Sequence, residues 1–176
     1  IKLWKDSLAI LRGQPLTLVL RDYHVDNLML LENREGISSC GLLDFQDAVF
    51  GPGIYDLMSL LEDARRDISS ELKYKIKLRY YSQLRTFNVW KGSKSECELL
   101  FSTLGAQRHA KVIGIFSRLA LRDKKYTYLK HLPRVWSLLE TSLENPALFE
   151  LKQWFDEMIP KENRNLIVNK LVKSKE

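Results

Sequence analysis

The spacing of apolar residues changes character at Gly51-Pro52-Gly53, and that change bounds the fold. Upstream of it lie three short apolar runs, Leu16–Leu20, Leu28–Leu31 and Ile37–Leu43. Each is short for a helix and has the length of a strand, and the first, nearly all apolar, reads as a buried one. Asn33-Arg34-Glu35-Gly36 stands between the second and third runs, a good turn sequence that predicts a hairpin. Downstream, Ile54, Leu57, Met58 and Leu61 recur at intervals of three and four, which predicts helix. One helix precedes the strands: Leu3, Trp4, Leu8 and Leu11 share a face over Ile1–Leu11, and Gly13–Pro15 stops it. A β-rich opening followed by a helical remainder indicates an α+β fold.

Between Leu72 and Tyr80 apolar residues alternate with Lys73, Lys75, Lys77 and Arg79, as in a half-buried strand. Continuation to Tyr81, Leu84 and Phe87 restores helical spacing, and the stretch is long for a strand, so a helix is expected. Further helices are expected at Glu96–Leu121, Pro133–Leu143, Pro146–Met158 and Asn165–Lys173. The length of 176 residues, with no low-complexity linker, leads us to expect a single domain over 1–176. Hydrophobic residues make up 45% and charged residues 28%, which excludes a disordered or collagen-like chain. No apolar run approaches the ~18 residues of a spanning helix and no signal peptide opens the chain, so no membrane is expected. The first residue is Ile1, and a missing upstream piece is expected. Cys40 and Cys97 lie far apart and lack metal-site spacing, which suits a reducing cytoplasm.

Charge divides unevenly. Residues 1–70 hold 7 basic and 11 acidic side chains, a balance of −4, and residues 71–176 hold 21 and 11, a balance of +10. The acidic half is where a divalent cation would find oxygens. Solvated helix surface is the simpler reading of the basic half, and nucleic-acid binding is not favoured because no recognised motif accompanies the Lys73–Tyr81 run.

Pairing of the second and third runs makes Asn27, just before one, and Asp44, just after the other, neighbours in space. Asp22 sits on the loop that enters the hairpin. An amide and two carboxylates converging beside a sheet outline a site for a divalent cation and proton transfer. Phosphoryl transfer needs such a set: one carboxylate to orient and deprotonate a hydroxyl, and a carboxylate and an amide oxygen to hold Mg²⁺. The Asp-x-x-x-x-Asn spacing, with Asp44-Phe45 after a hairpin, matches kinase loop signatures.

Asp22-x-His24-x-x-Asn27, Leu42-Leu43-Asp44-Phe45-Gln46-Asp47-Ala48 and Tyr55-Asp56-Leu57 together resemble the aminoglycoside phosphotransferase/choline kinase family. Leu43–Pro52, the stretch from Tyr55 to Arg65, Gly114–Leu119, Arg122-Asp123 and Pro133–Trp136 look closer still to its bacterial branch of anomeric N-acetylmuramate/N-acetylglucosamine kinases. The resemblance implies the mainly helical carboxy-terminal lobe of a protein-kinase-like fold, with a small β-hairpin carrying the catalytic and metal loops. It implies Asp22 as catalytic base, Asn27 and Asp44 as Mg²⁺ ligands, and His24 and Asp56 as supports. It further implies ATP and a small-molecule acceptor, an amino sugar, used in cell-wall recycling in the cytoplasm. Two departures stand out. Leu20 replaces the His that the family carries two residues before the catalytic Asp. The amino-terminal nucleotide lobe, with its Gly-rich loop and strand lysine, is absent, so this piece alone is expected to have little activity.

Simpler roles compete for the other residues. His109 and His131 read as ordinary, and Trp4, Trp90, Trp136 and Trp154 as packing residues. Arg65, Arg66, Arg118, Arg122 and Arg134 read as surface or ion-pair residues rather than binders of sugar or phosphate oxygens. The rival to a kinase lobe is a non-catalytic remnant or binding module of the same fold. A polyanion-binding protein and a metal-dependent hydrolase rank lower.

Overall fold

The computed structural model describes residues 1–164 and residue 166. The helix expected over Asn165–Lys173 lies, apart from Leu166, outside the described residues. The chain divides into two compact units, one formed by Leu11–Cys97 and the other by Ile1–Ile10 with the segment from Glu98 onward.

In the Leu11–Cys97 unit, four three-residue strands make two antiparallel ribbons. Strand β1 (Thr17–Val19) pairs with β4 (Val49–Gly51), with Leu18 opposite Phe50. Strand β2 (Leu28–Leu30) pairs with β3 (Cys40–Leu42), with Leu28 opposite Leu42. The expected hairpin is therefore present, and it is shorter than its apolar runs. A 3₁₀ turn at Gly36–Ser39 occupies the start of the third run and leaves Ile37 exposed. The first run is a strand but not a buried one: Val19 is 3% exposed, whereas Leu16 and Leu18 are about 60% exposed. Alternation across a two-stranded ribbon buries one side of the strand and leaves the other outward. Strand β4 is an element the apolar spacing does not predict.

Helix α2 (Ile54–Leu61) follows the Gly51-Pro52-Gly53 break and buries Ile54, Met58, Ser59 and Leu61. Gly53 permits a close approach there, since a Cβ on it would stand 2.7 Å from Thr17 Cγ2. Helix α3 (Ser70–Thr86) takes its N-cap from Ser69, whose hydroxyl accepts from Leu72 N at 3.2 Å. Its more sheltered residues, Lys73, Ile76, Lys77, Leu78, Tyr80, Tyr81 and Leu84, fall mostly at helical intervals, whereas Leu72 and Tyr74 of the apparent alternation are exposed. Helix α4 (Lys94–Leu121) opens with a capping box: Ser93 N donates to Glu96 Oε2 at 2.6 Å, and Glu96 N donates to Ser93 Oγ at 3.2 Å. These bonds hold the Glu96 carboxyl below its ordinary pKa.

The other unit is helical. It contains α1 (Lys2–Ser7), the rest of α4, α5 (Leu132–Leu143), α6 (Phe149–Met158) and the short α7 (Lys161–Arg164). Its core gathers Ala106, Ala120, Leu129, Leu132, Trp136, Leu139, Leu143, Leu148, Leu151 and Phe155, with Leu3 and Trp4 packed against it. Phe155 meets Trp4, Trp136 and Trp154 edge to face with centroids 5.0–6.3 Å apart, a favoured aromatic geometry. Trp90, in the Leu11–Cys97 unit, meets Tyr81 in the same way. All four tryptophans thus pack against rings, and His109 is buried. Arg164 is 5% exposed and hydrogen-bonds Glu140, Asp156 and the Ile159 carbonyl while its guanidinium lies 5.1 Å from the Trp136 ring. A buried arginine so fully engaged meets the requirement that a buried charge be paired.

Candidate active site

The loop from Leu20 to Asn27 is shaped by its main chain. In the first turn of α2, Asp56 accepts from Leu20 N at 2.7 Å and from Arg21 N at 3.0 Å, through a different oxygen for each. One turn further along, Ser59 Oγ donates to the Arg21 carbonyl at 3.2 Å. Arg21 adopts a left-handed backbone, φ 68°, unusual for a residue with a Cβ and sustained here by those three hydrogen bonds. Asp22 N then donates to the Leu20 carbonyl at 2.8 Å, and the tight turn leaves the Asp22 side chain exposed.

Asn27 ties the loop to the hairpin. Its Nδ2 donates to the Asp22 carbonyl at 2.8 Å and lies 3.5 Å from Asp44 Oδ2. Its own carbonyl accepts from Leu43 N at 2.9 Å, which extends the β2–β3 ladder by one step and delivers Asp44 to its side. Asp44 also has a left-handed backbone, φ 54°, and its Oδ1 accepts from Gln46 Nε2. The structure therefore brings Asn27 beside Asp44, as pairing of the two runs requires, whereas Asp22 meets Asn27 through its main-chain carbonyl and not through the carboxylate expected to converge there.

His24 lies beside this group, its side chain 12% exposed. Its carbonyl accepts from Asn27 N at 2.9 Å, and its Nδ1 is buried, without a hydrogen bond and 3.9 Å from Asp26 Oδ2. Burial raises the pKa of the Tyr23 hydroxyl, with smaller contributions from the Cys40 thiol and Asp56. Burial, with Cys97 and Asp56, pushes Tyr80 up to about 12. Among the described residues, no group of three or more His, Cys, Asp or Glu forms a metal cage. The pair Asn27 and Asp44 offers hard oxygens in an exposed setting. With the amide nitrogen committed to Asp22, Asn27 Oδ1 is the atom left for a cation. A two-oxygen set fits Mg²⁺, which keeps waters and takes further oxygens from a nucleotide.

Residue-by-residue reading misses Ser59, Gln46 and a charge group around Asp26. Arg66 Nη2 hydrogen-bonds Asp26 Oδ1, and Arg65 Nη1 is 3.6 Å from Asp26 Oδ2. Ser59 and Gln46 are spaced from Asp56 and Asp44 by three and two residues, the only local signal for them. The charge group joins residues 40 apart and leaves no local signal.

The sequence pattern of the phosphotransferase enzyme family matches residues 1–90. An N-acetylmuramate/N-acetylglucosamine kinase of Caulobacter vibrioides is 40% identical over 144 residues, covering 82% of this chain and 38% of the relative. Its counterparts in Neisseria meningitidis and Pseudomonas aeruginosa are 39% and 40% identical, each over 78% of this chain and 41% and 40% of their own length. The chain thus spans about two fifths of the curated relatives it matches.

Proposed function

The chain belongs to the phosphotransferase enzyme family, and from that premise we propose that it is the carboxy-terminal lobe of an ATP-dependent small-molecule kinase whose acceptor is an amino sugar, N-acetylmuramate or N-acetylglucosamine. The observation that carries the reading is the junction at Asn27, whose amide spans the Asp22 carbonyl and the Asp44 carboxylate. It supports a division of labour. Asp22, exposed at the tip of a pinned turn, accepts the proton of the acceptor hydroxyl at its carboxylate as that oxygen bonds to the terminal phosphorus of ATP, the bond to the bridging oxygen breaks and ADP leaves. Asn27 Oδ1 and the Asp44 carboxylate hold Mg²⁺. Bound there, the ion supplies positive charge against the nucleotide phosphates. Asp56 and Ser59 hold the turn so that Asp22 stays in place, and His24 closes the loop through its carbonyl.

Leu20 does not weaken this reading. Asp56 holds residues 20 and 21 by their amides, so the anchor makes no demand on the side chain at 20. The identity of the acceptor rests on the names of the relatives. A cytoplasmic location is part of the proposal, since ATP is the phosphate donor in it; both cysteines are free thiols, which suits a reducing compartment.

The test joins this lobe to the remainder of the enzyme and follows ATP-dependent phosphorylation of both amino sugars. Asp22→Asn should lower turnover by about 10³-fold or more, with an unchanged circular dichroism spectrum and melting temperature. Residual turnover within tenfold of wild type would refute the assignment. The 176-residue chain alone should show little turnover, and robust phosphorylation by it would refute the reading of it as an incomplete lobe.

A further inference from the structure

We propose that Arg65 and Arg66 are positioning residues for Asn27: they hold Asp26, its neighbour, and so fix the metal-binding half of the loop as Asp56 fixes the half bearing Asp22. The inference rests on the reading of Asn27 as a metal ligand. The loop is fastened to α2 and its continuation at three successive levels. Residues 20 and 21 are held at Asp56, the Arg21 carbonyl at Ser59, and Asp26 at Arg65 and Arg66, just beyond the helix end.

The third fastening is better braced than an ordinary surface pair. Asp63, 4% exposed, accepts from Arg65 N at 2.9 Å through Oδ1, and the same oxygen lies 3.4 Å from Arg65 Nε. A buried carboxylate thus orients Arg65, whose terminal nitrogen meets Asp26. Arg66 holds the other Asp26 oxygen by a charge-assisted hydrogen bond. The planar guanidinium suits this work because it can contact Asp63 and Asp26 at once, whereas a lysine presents a single point charge. Val25–Asn27 form one 3₁₀ turn closed by Asn27 N on the His24 carbonyl, so displacing Asp26 displaces Asn27. Half-exposed ion pairs add little to stability. Their leverage is geometric, because partners behind a metal ligand typically change affinity by about 10–100-fold.

In the lobe joined to the remainder of the enzyme, the experiment compares wild type with Arg65→Ser/Arg66→Ser, with Asp26→Asn, which keeps the shape and removes the charge, and with Arg66→Lys. Amide hydrogen exchange provides a readout independent of activity. Exchange at Asn27 should accelerate by roughly tenfold in the first two variants, while Leu20 and Arg21, held by Asp56, keep wild-type rates; Arg66→Lys should fall between. Mn²⁺, titrated with ATP present and read by electron paramagnetic resonance, should bind about tenfold more weakly to the same two variants. Wild-type exchange at Asn27 in both, or equal acceleration across α2 and residues 20–21, would overturn the positioning role. Failure of the wild-type protein to take up Mn²⁺ would instead overturn Asn27 as a ligand, whereas wild-type uptake that the variants leave unchanged would overturn the positioning role alone.

Discussion

The two units of this chain are held together by different forces. The unit of Ile1–Ile10 and the segment from Glu98 onward rests on apolar packing, with Leu139 fully buried and three tryptophan rings meeting Phe155. The Leu11–Cys97 unit buries few apolar side chains, and its ribbons leave Leu18, Leu30 and Phe50 largely exposed. Its order comes from polar fastenings: a carboxylate on two amides, a hydroxyl on a carbonyl, guanidinium groups on a carboxylate. Apolar contact is non-directional and tolerates small shifts, whereas hydrogen bonds fix angles. The unit that carries the proposed site residues Asp22, Asn27 and Asp44 is built with the directional kind.

Leu139→Ala tests that contrast most severely. It should cost about 3–4 kcal/mol, the transfer term plus a cavity the surrounding helices cannot close, read as a lower urea midpoint. Asp56→Ala should cost less, about 2–3 kcal/mol, for two amides deprived of a charged acceptor, while in the complete enzyme turnover should fall by about 10²-fold because the loop shifts. If Asp56→Ala cost more stability than Leu139→Ala, or left turnover intact, the contrast between packing and positioning would fail. The smallest effect belongs to pH. Tyr80 titrates at about 12 when folded and near 10 in the unfolded chain, so the folded state keeps a proton that the unfolded state releases. Stability should therefore be full below pH 10 and decline as pH rises from 10 toward 12. Tyr80→Phe should flatten that decline in a denaturation series; an identical slope in both proteins would remove the buried hydroxyl from the account.

The contrast also explains what the sequence reveals. Helices of the packed unit are legible because burial imposes a period: α5 shelters Leu132, Val135, Trp136, Leu139 and Leu143 at intervals of three and four. Helix α3 is legible despite its alternating lysines, since Tyr81 and Leu84 continue the stripe of Ile76, Lys77 and Tyr80 that an alternation would break. Hairpin topology likewise requires Asn27 and Asp44 to meet, because strands joined by a turn return to their starting end. Burial of the first strand is misjudged, since an apolar run does not say how many strands will flank it. Strand β4, three residues ending in Gly51, is too short to carry a period. The Asp26–Arg66 fastening is invisible for another reason: nothing near either residue marks a partner 40 positions away.

The grip of Asp56 on two main-chain amides has an evolutionary corollary. An anchor that holds residue 20 by its main-chain amide leaves the side chain there free to drift, whereas Arg21 also donates from Nη1 to the Asp47 carbonyl. Such a loop can exchange histidine for leucine at position 20 without losing its shape. Saturation mutagenesis should accordingly find position 20 permissive and position 56 intolerant of replacement.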